Sequence, residues 1–587
     1  MFNQDTCPEG FSQRFLPFTS WLKEYRLSYL RNDSVAGLTV SVVLIPQAMA
    51  YAMLAGLPPV YGLYAAAVAP AVGALWGSLR QMATGPIAIM SLLVLTTLTP
   101  IAEAGSPHYI ELALLLSLMV GILYLSIGLF RMGEVMSFIS HSAVKGFTAA
   151  AALIITATQL PHLLGMHVEK EEYVIHMFVE IARSLPGLHP PTLAIGAAAF
   201  VIIFVLRKIR PNFPSGLVAL VLTTAVVASL GLHKLGVAIV GKTAGGLPQP
   251  QLPFFDIDVF SSLIGPAVVI ALVSFAETYS VGKAIAAETK QHVDVNQEFI
   301  GQGMANLVGS FFQCYPVSGS FSRTAINFAA GAKSGLSSVI SALAVILTLL
   351  FFTPLLTYIP KAALAALVIN AVLMLFHPKE VFRLWKMNRH DGIVAVAVFV
   401  LALLTKPDYA LLIGVMISLI YFLWKTMHPR IVRVTKDPVL NMFLNGDEYG
   451  KPSCPQILQL RSDNVMCFAN AEYTTERILE RLEEQKTPVL YLLLDFHAVG
   501  FIDITGVDEL RSLLEDIRAR NIELSLMGVH SPVKKVFESS GFIEEVKPEL
   551  FIENRGEAIT VLFQQLNHDY CKNHCPHALF YECSSVK

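Results

Sequence analysis

The sequence predicts an α-helical polytopic membrane protein that carries a small α/β domain near its C-terminal end, and three observations lead there. Of 587 residues, 54% are apolar and only 15% are charged, where a soluble chain has nearer about a quarter charged; mean hydropathy is +0.57. The apolar runs come in lengths of about 20 residues, enough to cross ~30 Å of hydrocarbon. Charges are sparse before about residue 428 and dense after it, which separates a membrane part from a soluble one. A net charge of −2 gives no electrostatic case for a nucleic-acid partner. Seven scattered cysteines do not form a disulfide framework and are expected to be reduced.

The first 34 residues are polar and mixed in charge, so they are expected to form a cytoplasmic segment, with the first span acting as an uncleaved insertion signal. Spans are expected near 35–54, 60–77, 86–99, 110–130, 137–160, 192–207 and 214–232, then near 259–284, 298–313, 322–333, 335–353, 360–376, 391–405 and 408–427. The transport domain thus covers 35–427, in repeats of about 35–232 and 259–427. Basic residues favour one side of this arrangement: Lys23, Arg26 and Arg31, then Arg207, Lys208 and Arg210, then Lys379, Arg383, Lys386 and Arg389 all fall inside. The stretch 169–172, placed outside, is net acidic. That bias favours an even number of spans with both ends in the cytoplasm.

Seven spans per half invert the second half relative to the first, and such repeats carry short or broken segments at matching places. Here the third span of each half fits. ATGPIAIMS puts Gly85 and Pro86 at the mouth of one, with Pro86 in the first turn; VSGSFSRTAIN opens the other with the N-cap types Ser318, Gly319, Ser320 and Ser322. Two half-helices whose N-termini converge offer unpaired N–H groups and roughly half a positive charge each, an anion site made without net basic composition.

Four side chains join this reading. Arg323, in the first turn of the second half-helix, brings a full charge and a donor fork suited to an oxyanion, or else snorkels or pairs at the cytoplasmic rim. Gln47 and Tyr51, four residues apart, share one helix face and either line a site or glue two helices by a hydrogen bond. Glu277 stands alone among apolar residues in ALVSFAETYSVGKAIA. It suits a group that takes up and releases a proton during a cycle, or a fixed salt bridge with Arg323.

The stretch IPQAMAYAMLAGLPPVYGLY closely resembles the first-helix signature of the sulfate permease (SulP) family of anion transporters, and the resemblance extends over nearly the whole chain. It implies a core domain, a gate domain and a moving substrate site between them. It also implies that Gln47 and Tyr51 line the anion pocket, that Gly85, Ile87 and Ala88 form one wall, and that Ser320, Phe321, Ser322 and Arg323 form another. The family's eighth-span acid matches Glu277; members with a sodium-coupled bicarbonate preference tend toward Asp there, so Glu277 leans toward proton coupling.

After Trp424, residues 428–453 read as a linker rich in turn formers and charge. From 454 to 565, QILQLRSDNVMCFAN reads as two short strands, followed by alternating helices and strands through VLYLLLDF, GVDELRSLLEDIRAR, IELSLMGV and SPVKKVFESS, a small α/β sheet. The motif LLLDFHAVGFIDITGVDEL strongly resembles the STAS domain, which is similar to bacterial anti-sigma-factor antagonists. Those regulators carry a phosphorylated serine after the aspartate. Here Asp503 is followed by Ile504, which cannot accept a phosphate, so folding, dimer contact or trafficking is the plainer role. The tail, 566–587, contains CKNHCPHALFYEC, whose Cys and His spacing could hold zinc, although no second ligand pair stands nearby in sequence and a flexible polar tail is expected.

No catalytic triad, P-loop or dinucleotide fingerprint is present, so no enzyme activity or cofactor is expected, and any uphill transport must run on an ion gradient. The expected function is proton-coupled sulfate transport by a homodimer in the lipid of a bacterial inner membrane. Bicarbonate or C4-dicarboxylate transport, possibly sodium-coupled, and an exchanger or channel on the same fold are the alternatives. A scaffold anchoring its α/β domain would need one or two plain spans rather than fourteen.

Overall fold

The structure, a computed structural model, describes residues 17–134, 140–168, 174–209, 214–241, 245–253, 256–291, 293–373, 376, 378–405, 407–437, 440, 442–485, 487 and 489–586. The segment 1–16 and the acidic stretch 169–172 therefore lie outside the described residues. The chain divides into two compact units, Met1–Ser418 and Leu419–Lys587.

The first unit is helical and runs in two series. A short helix, Phe18–Lys23, precedes α1 (Leu27–Leu54), α2 (Pro59–Trp76), α3 (Ala88–Leu98), α4 (Pro107–Leu129), α5 (His141–Leu164), α6 (Pro190–Ile209) and α7 (Ser215–Ser229). The second series is α8 (Ile257–Thr289), α9 (Val295–Phe311), α10 (Phe321–Ala329), α11 (Leu336–Leu347), α12 (Lys361–Leu373), α13 (Arg389–Leu404) and α14 (Pro407–Met427), the last of which runs across the division at Ser418. Each expected span coincides with one of these helices. Among the described residues eight helices are long and apolar enough to cross a membrane, and α3, α7 and α12 are shorter apolar ones. The first helix begins at Leu27 rather than near 35, because Asp33 is buried within it: its carboxylate accepts hydrogen bonds from Lys333 N at 2.7 Å, Ser334 N at 3.2 Å and Ser334 Oγ at 2.7 Å. Two amphipathic helices, Val174–Ser184 and Pro378–Met387, interrupt the series.

Ahead of the third helix in each series lies a strand of two residues, β1 (Thr84–Gly85) and β2 (Ser318–Gly319), and the two pair antiparallel with Thr84 opposite Gly319 and Gly85 opposite Ser318. Equivalent positions of the two halves therefore meet head to tail, as an inverted repeat requires.

By their contacts the helices sort into two bundles. In one, α9 packs on α4 and α2, and α11 packs on α1 and α2; in the other, α12 and α13 pack on α5, and α12 also packs on α6. Lipid tails are as apolar as leucine, so close approach of small residues rather than a hydrophobic drive holds such bundles. Gly62 of α2 shows it: a Cβ there would lie 1.9 Å from Ala48 O on α1.

The second unit holds a six-stranded sheet in the order β4-β3-β5-β6-β7-β8, with β3 (Ile431–Asp437), β4 (Met442–Asn445), β5 (Ile457–Ser462), β6 (Tyr491–Asp495), β7 (Glu523–Met527) and β8 (Phe551–Ile552). β5 to β8 are parallel, and β3 runs antiparallel to both β4 and β5. Helices Ala471–Glu483, Ile504–Ala519, Ser531–Ser539 and Arg555–Gln564 cover it, and Leu492, Leu493, Leu510, Leu526 and Phe537 lie at its core.

Three sequence expectations change here. Residues 428–453 are not a linker: Ile431, Val432 and Val434 are buried and form the sheet's antiparallel margin, and charges that suggested a linker are paired within it, as in the 3.2 Å Arg433 to Asp447 pair and the 2.7 Å Lys451 to Asp437 pair, whose carboxylate is buried. QILQLRSDNVMCFAN contains one strand, not two, because Met466 makes only an isolated bridge to Ile502. The tail is not loose, since Cys571, Leu579 and Phe580 bury themselves in the unit's core.

Gly62→Ala should force α1 and α2 apart. Overpacking of this kind costs about 1–3 kcal/mol, so the thermal midpoint of the purified protein should fall; an unchanged midpoint would mean the crossing is looser than described.

Candidate functional site

The site is built around the β1–β2 pairing, because α3 and α10 both start from it. Ile87 is the N-cap of α3, in extended conformation with no side-chain cap, so the first N–H groups of that helix, beginning at Ala88, have no side chain to meet them. Pro86 lies before the helix rather than in its first turn, because the chain stays extended through Ile87. Ser320 caps α10, its Oγ accepting from Arg323 N at 3.4 Å, and it is the sole cap of that helix. Ser318 and Gly319, expected to be cap types, are strand residues.

A scaffold of hydrogen bonds holds these ends. Ser320 N donates to Ala83 O at 3.0 Å, and Ala83 N donates to Thr324 Oγ1 at 3.0 Å. Asn306 grips Val317 on both sides: its Nδ2 donates to Val317 O at 2.9 Å, and Val317 N donates to its Oδ1 at 2.8 Å. One turn earlier on α9, Gln302 Nε2 donates to Thr84 Oγ1 at 3.0 Å and to Glu298 Oε1 at 3.0 Å. Glu298 Oε2 in turn accepts from Ser78 N at 3.1 Å and Leu79 N at 3.3 Å. On the other side, Thr278 of α8 shares a 2.8 Å hydrogen bond with Ser318 Oγ and accepts from Gly319 N at 3.1 Å.

Arg323 points into this frame and is 1% exposed. Nη1 donates to Gln47 Oε1 at 3.4 Å, while Nε and Nη2 are buried with no hydrogen-bond partner. An unmet buried donor costs about 1–3 kcal/mol, more when charged, so two on one guanidinium mark a place where an acceptor is missing. Gly85 lets the guanidinium in: a Cβ there would lie 3.3 Å from Nη2. Tyr51, buried on the same α1 face as Gln47, lies within charge–charge reach of Arg323 and of Glu277.

Glu277 belongs to the same neighbourhood, but among the described residues no ion pair joins it to Arg323, and its Oε2 is buried without a partner. The fixed salt bridge considered from the sequence is therefore not formed in this conformation. Of the remaining expected residues, Phe321 has a side chain 55% exposed, so its backbone N–H is what it brings to the helix start. Ser322 is also exposed, its Oγ 3.4 Å from Ser320 Oγ. The frame residues Asn306, Gln302, Glu298 and Thr278 escaped the sequence reading. So did Tyr315, whose hydroxyl lies 3.1 Å from Ser91 Oγ at the first turn of α3.

Two helix starts joined by an antiparallel strand pair, one without a side-chain cap and one capped by Ser320, with a buried arginine beside them, fit an anion-handling membrane protein. Residues 30–398 match the model of the sulfate permease family and residues 451–558 that of the STAS domain, and the chain belongs to the sulfate permease family. It is 33% identical to "Sulfate transporter 4.1, chloroplastic" of Arabidopsis thaliana, covering 93% of this chain and 82% of that one. It is 32% identical to a "Probable sulfate transporter" of Mycobacterium tuberculosis, covering 92% and 96%. The fold matches the murine Solute Carrier 26 family member A9 anion transporter in its inward-facing state, with a TM-score of 0.86, 24% identity, and 96% and 97% of the two chains covered. This is an integral membrane anion transporter with a C-terminal STAS domain.

Asn306→Ala removes both hydrogen bonds to Val317 and should let β2 drift from β1. Anion affinity, read by calorimetric titration, should fall about tenfold or more, a change of ~1.4 kcal/mol or more. Unchanged affinity would show that the strand holds its place without the clamp.

Proposed function

We propose that the protein takes up sulfate together with protons. In this reading the dianion sits between the starts of α3 and α10, on the N–H groups near Ala88, Phe321 and Ser322, with Gly85, Ile87 and Ser320 shaping the walls. Arg323, Gln47 and Tyr51 complete its hydrogen bonds. The observation that carries the proposal is the buried Arg323 with two unmet donors: a tetrahedral dianion meets both donors and both helix ends at once. The names of the Arabidopsis and Mycobacterium relatives point to the same substrate.

Charge balance supports a proton on Glu277. Before the anion arrives, a cationic Arg323 and an anionic Glu277 cancel. A sulfate dianion adds two negative charges, and a proton on Glu277 removes one of them, so that less uncompensated charge has to move through the low-dielectric interior. The unmet Glu277 Oε2 and the electrostatic reach of Arg323 support that reading. The transporter works as a homodimer in a bacterial inner membrane, with the N-terminal segment and the STAS domain in the cytoplasm.

Uptake into proteoliposomes tests this with radiolabelled sulfate, bicarbonate, fumarate and succinate side by side. Sulfate should accumulate when the outside medium is acidic, and preference for another anion, or accumulation that follows sodium and ignores pH, would overturn the reading. Arg323→Ala should lose uptake while remaining folded; retained uptake would place the pocket elsewhere. Glu277→Gln, which mimics the protonated acid, should still bind sulfate yet lose accumulation driven by an acid outside medium. Parental pH-driven accumulation in that variant would remove Glu277 from the proton's path.

A further inference from the structure

The C-terminal unit gathers thiols that the transport reading leaves unused. Cys454, Cys571, Cys575 and Cys583 line one pocket together with His577 and the apolar side chains of Phe563, Leu566, Leu579 and Phe580. These four cysteines come from two distant stretches, one entering β5 and the other in the tail beyond Arg555–Gln564. Gln456, two residues after Cys454, fastens them together: its Nε2 donates to Asn567 O and to Cys571 Sγ, both at 3.1 Å, and its Oε1 accepts from Asn567 N at 2.9 Å. All four are thiols.

The size and geometry of the pocket narrow what it can do. Its open space is about 20 Å³, room for about one water-sized group and too little for an organic cofactor. Among the described residues, no three Cys, His, Asp or Glu side chains converge as a metal site. What remains is chemistry between two sulfurs. Of the two tail thiols in charge–charge reach of Cys454, Cys575 exerts the larger effect. Cys571 is buried and accepts from Gln456, whereas Cys454 and Cys575 are half-buried, so reagents can reach them; the Cys575 thiol donates to His577 O at 3.4 Å.

We propose that Cys454 and Cys575 form a redox pair that staples the tail to the segment entering β5 by exchange with a low-molecular-weight disulfide such as oxidised glutathione. The Cys575 thiolate attacks one sulfur of the small disulfide, releasing one small thiol and leaving a mixed disulfide on Cys575. The Cys454 thiolate then attacks the Cys575 sulfur and expels the second small thiol. Two protein thiols give up two protons and two electrons, and one small disulfide becomes two thiols. Burial pushes the Cys454 thiol up to about 11; backbone N–H groups of Gln456 and Ile457 oppose that shift, and Cys575 and Cys583 add to it. A thiol so disposed is a poor first nucleophile, which assigns the opening attack to Cys575 and the resolving one to Cys454.

The test uses the full-length protein in lipid nanodiscs, incubated with oxidised glutathione, then alkylated, digested and analysed by mass spectrometry. Cys454 and Cys575 should disappear together from the alkylated pool and reappear as one cross-linked peptide lighter by two hydrogens, and dithiothreitol should reverse this. Cys454→Ser should trap Cys575 as its glutathione adduct, and Cys575→Ser should leave Cys454 alkylatable. Thermal melting of both variants at the parental midpoint shows that the tail is still docked. A cross-link confined to the tail cysteines, four thiols that stay alkylatable, or one bound zinc per chain that blocks oxidation would each overturn the proposal.

Discussion

Four backbone residues carry the organisation of the membrane unit. Thr84 and Gly85 pair with Ser318 and Gly319, and this short antiparallel ladder sets where two helices begin, how far apart their N-termini lie and what faces the gap. A two-residue ladder has little stability of its own. It persists because side chains from neighbouring helices over-determine it: Asn306 and Thr278 hold the second strand, Gln302 holds the first, and Ser338 Oγ donates to Met82 O at 2.9 Å. Glu298, Gln302 and Asn306 stand at four-residue intervals on α9, so one helix face braces both halves of the repeat. The brace rests on a buried carboxylate satisfied by backbone N–H groups near the end of α2. Irregular backbone at membrane depth is tolerated where protein groups satisfy it, and here they do.

Within that frame, the unmet charged groups gather at one place. Most donors and acceptors of the strands, caps and brace residues are met, Gln302 Oε1 being an exception, whereas Arg323 Nε and Nη2 and Glu277 Oε2 have no hydrogen-bond partner. A fixed structural pair would have brought those groups together. Burying them without pairing them leaves unmet donors and an ionisable acid in one electrostatic neighbourhood, which suits a passenger that arrives and leaves.

Much of this was legible from the residues. Apolar runs of spanning length gave the helices. Gly85, Pro86 and the Ser-rich opening around Ser320 marked the half-helices, because glycine, proline and capping serines within an apolar run stop a helix short of full span. Arg323, Gln47, Tyr51 and Glu277 stood out as polar side chains in apolar surroundings. The two-residue strands were invisible, since two residues display no period. The brace was missed for another reason: Glu298, Gln302 and Asn306 lie on a helix that is polar enough to read as a weak span, and only their four-residue spacing hinted at a shared face. In the C-terminal unit, turn formers and charges around Asn445 to Gly450 hid an antiparallel hairpin. Cys454 and the tail cysteines are too far apart in sequence for spacing to reveal that they meet. Ile504 stands 76% exposed at a helix start where Gly506 N donates to Asp503 Oδ1 at 2.9 Å, and its side chain carries no hydroxyl.

In the proposed mode of binding, one anion bridges two helix starts and Arg323. Selenate has the shape and charge of sulfate and scatters anomalously, so a crystal of the protein soaked in selenate locates the anion directly. An anomalous peak should appear within hydrogen-bonding distance of Arg323 Nε or Nη2, between the N-termini of Ala88–Leu98 and Phe321–Ala329. A peak elsewhere in the membrane unit, with Arg323 turned onto Glu277 and both helix starts bare, would contradict it.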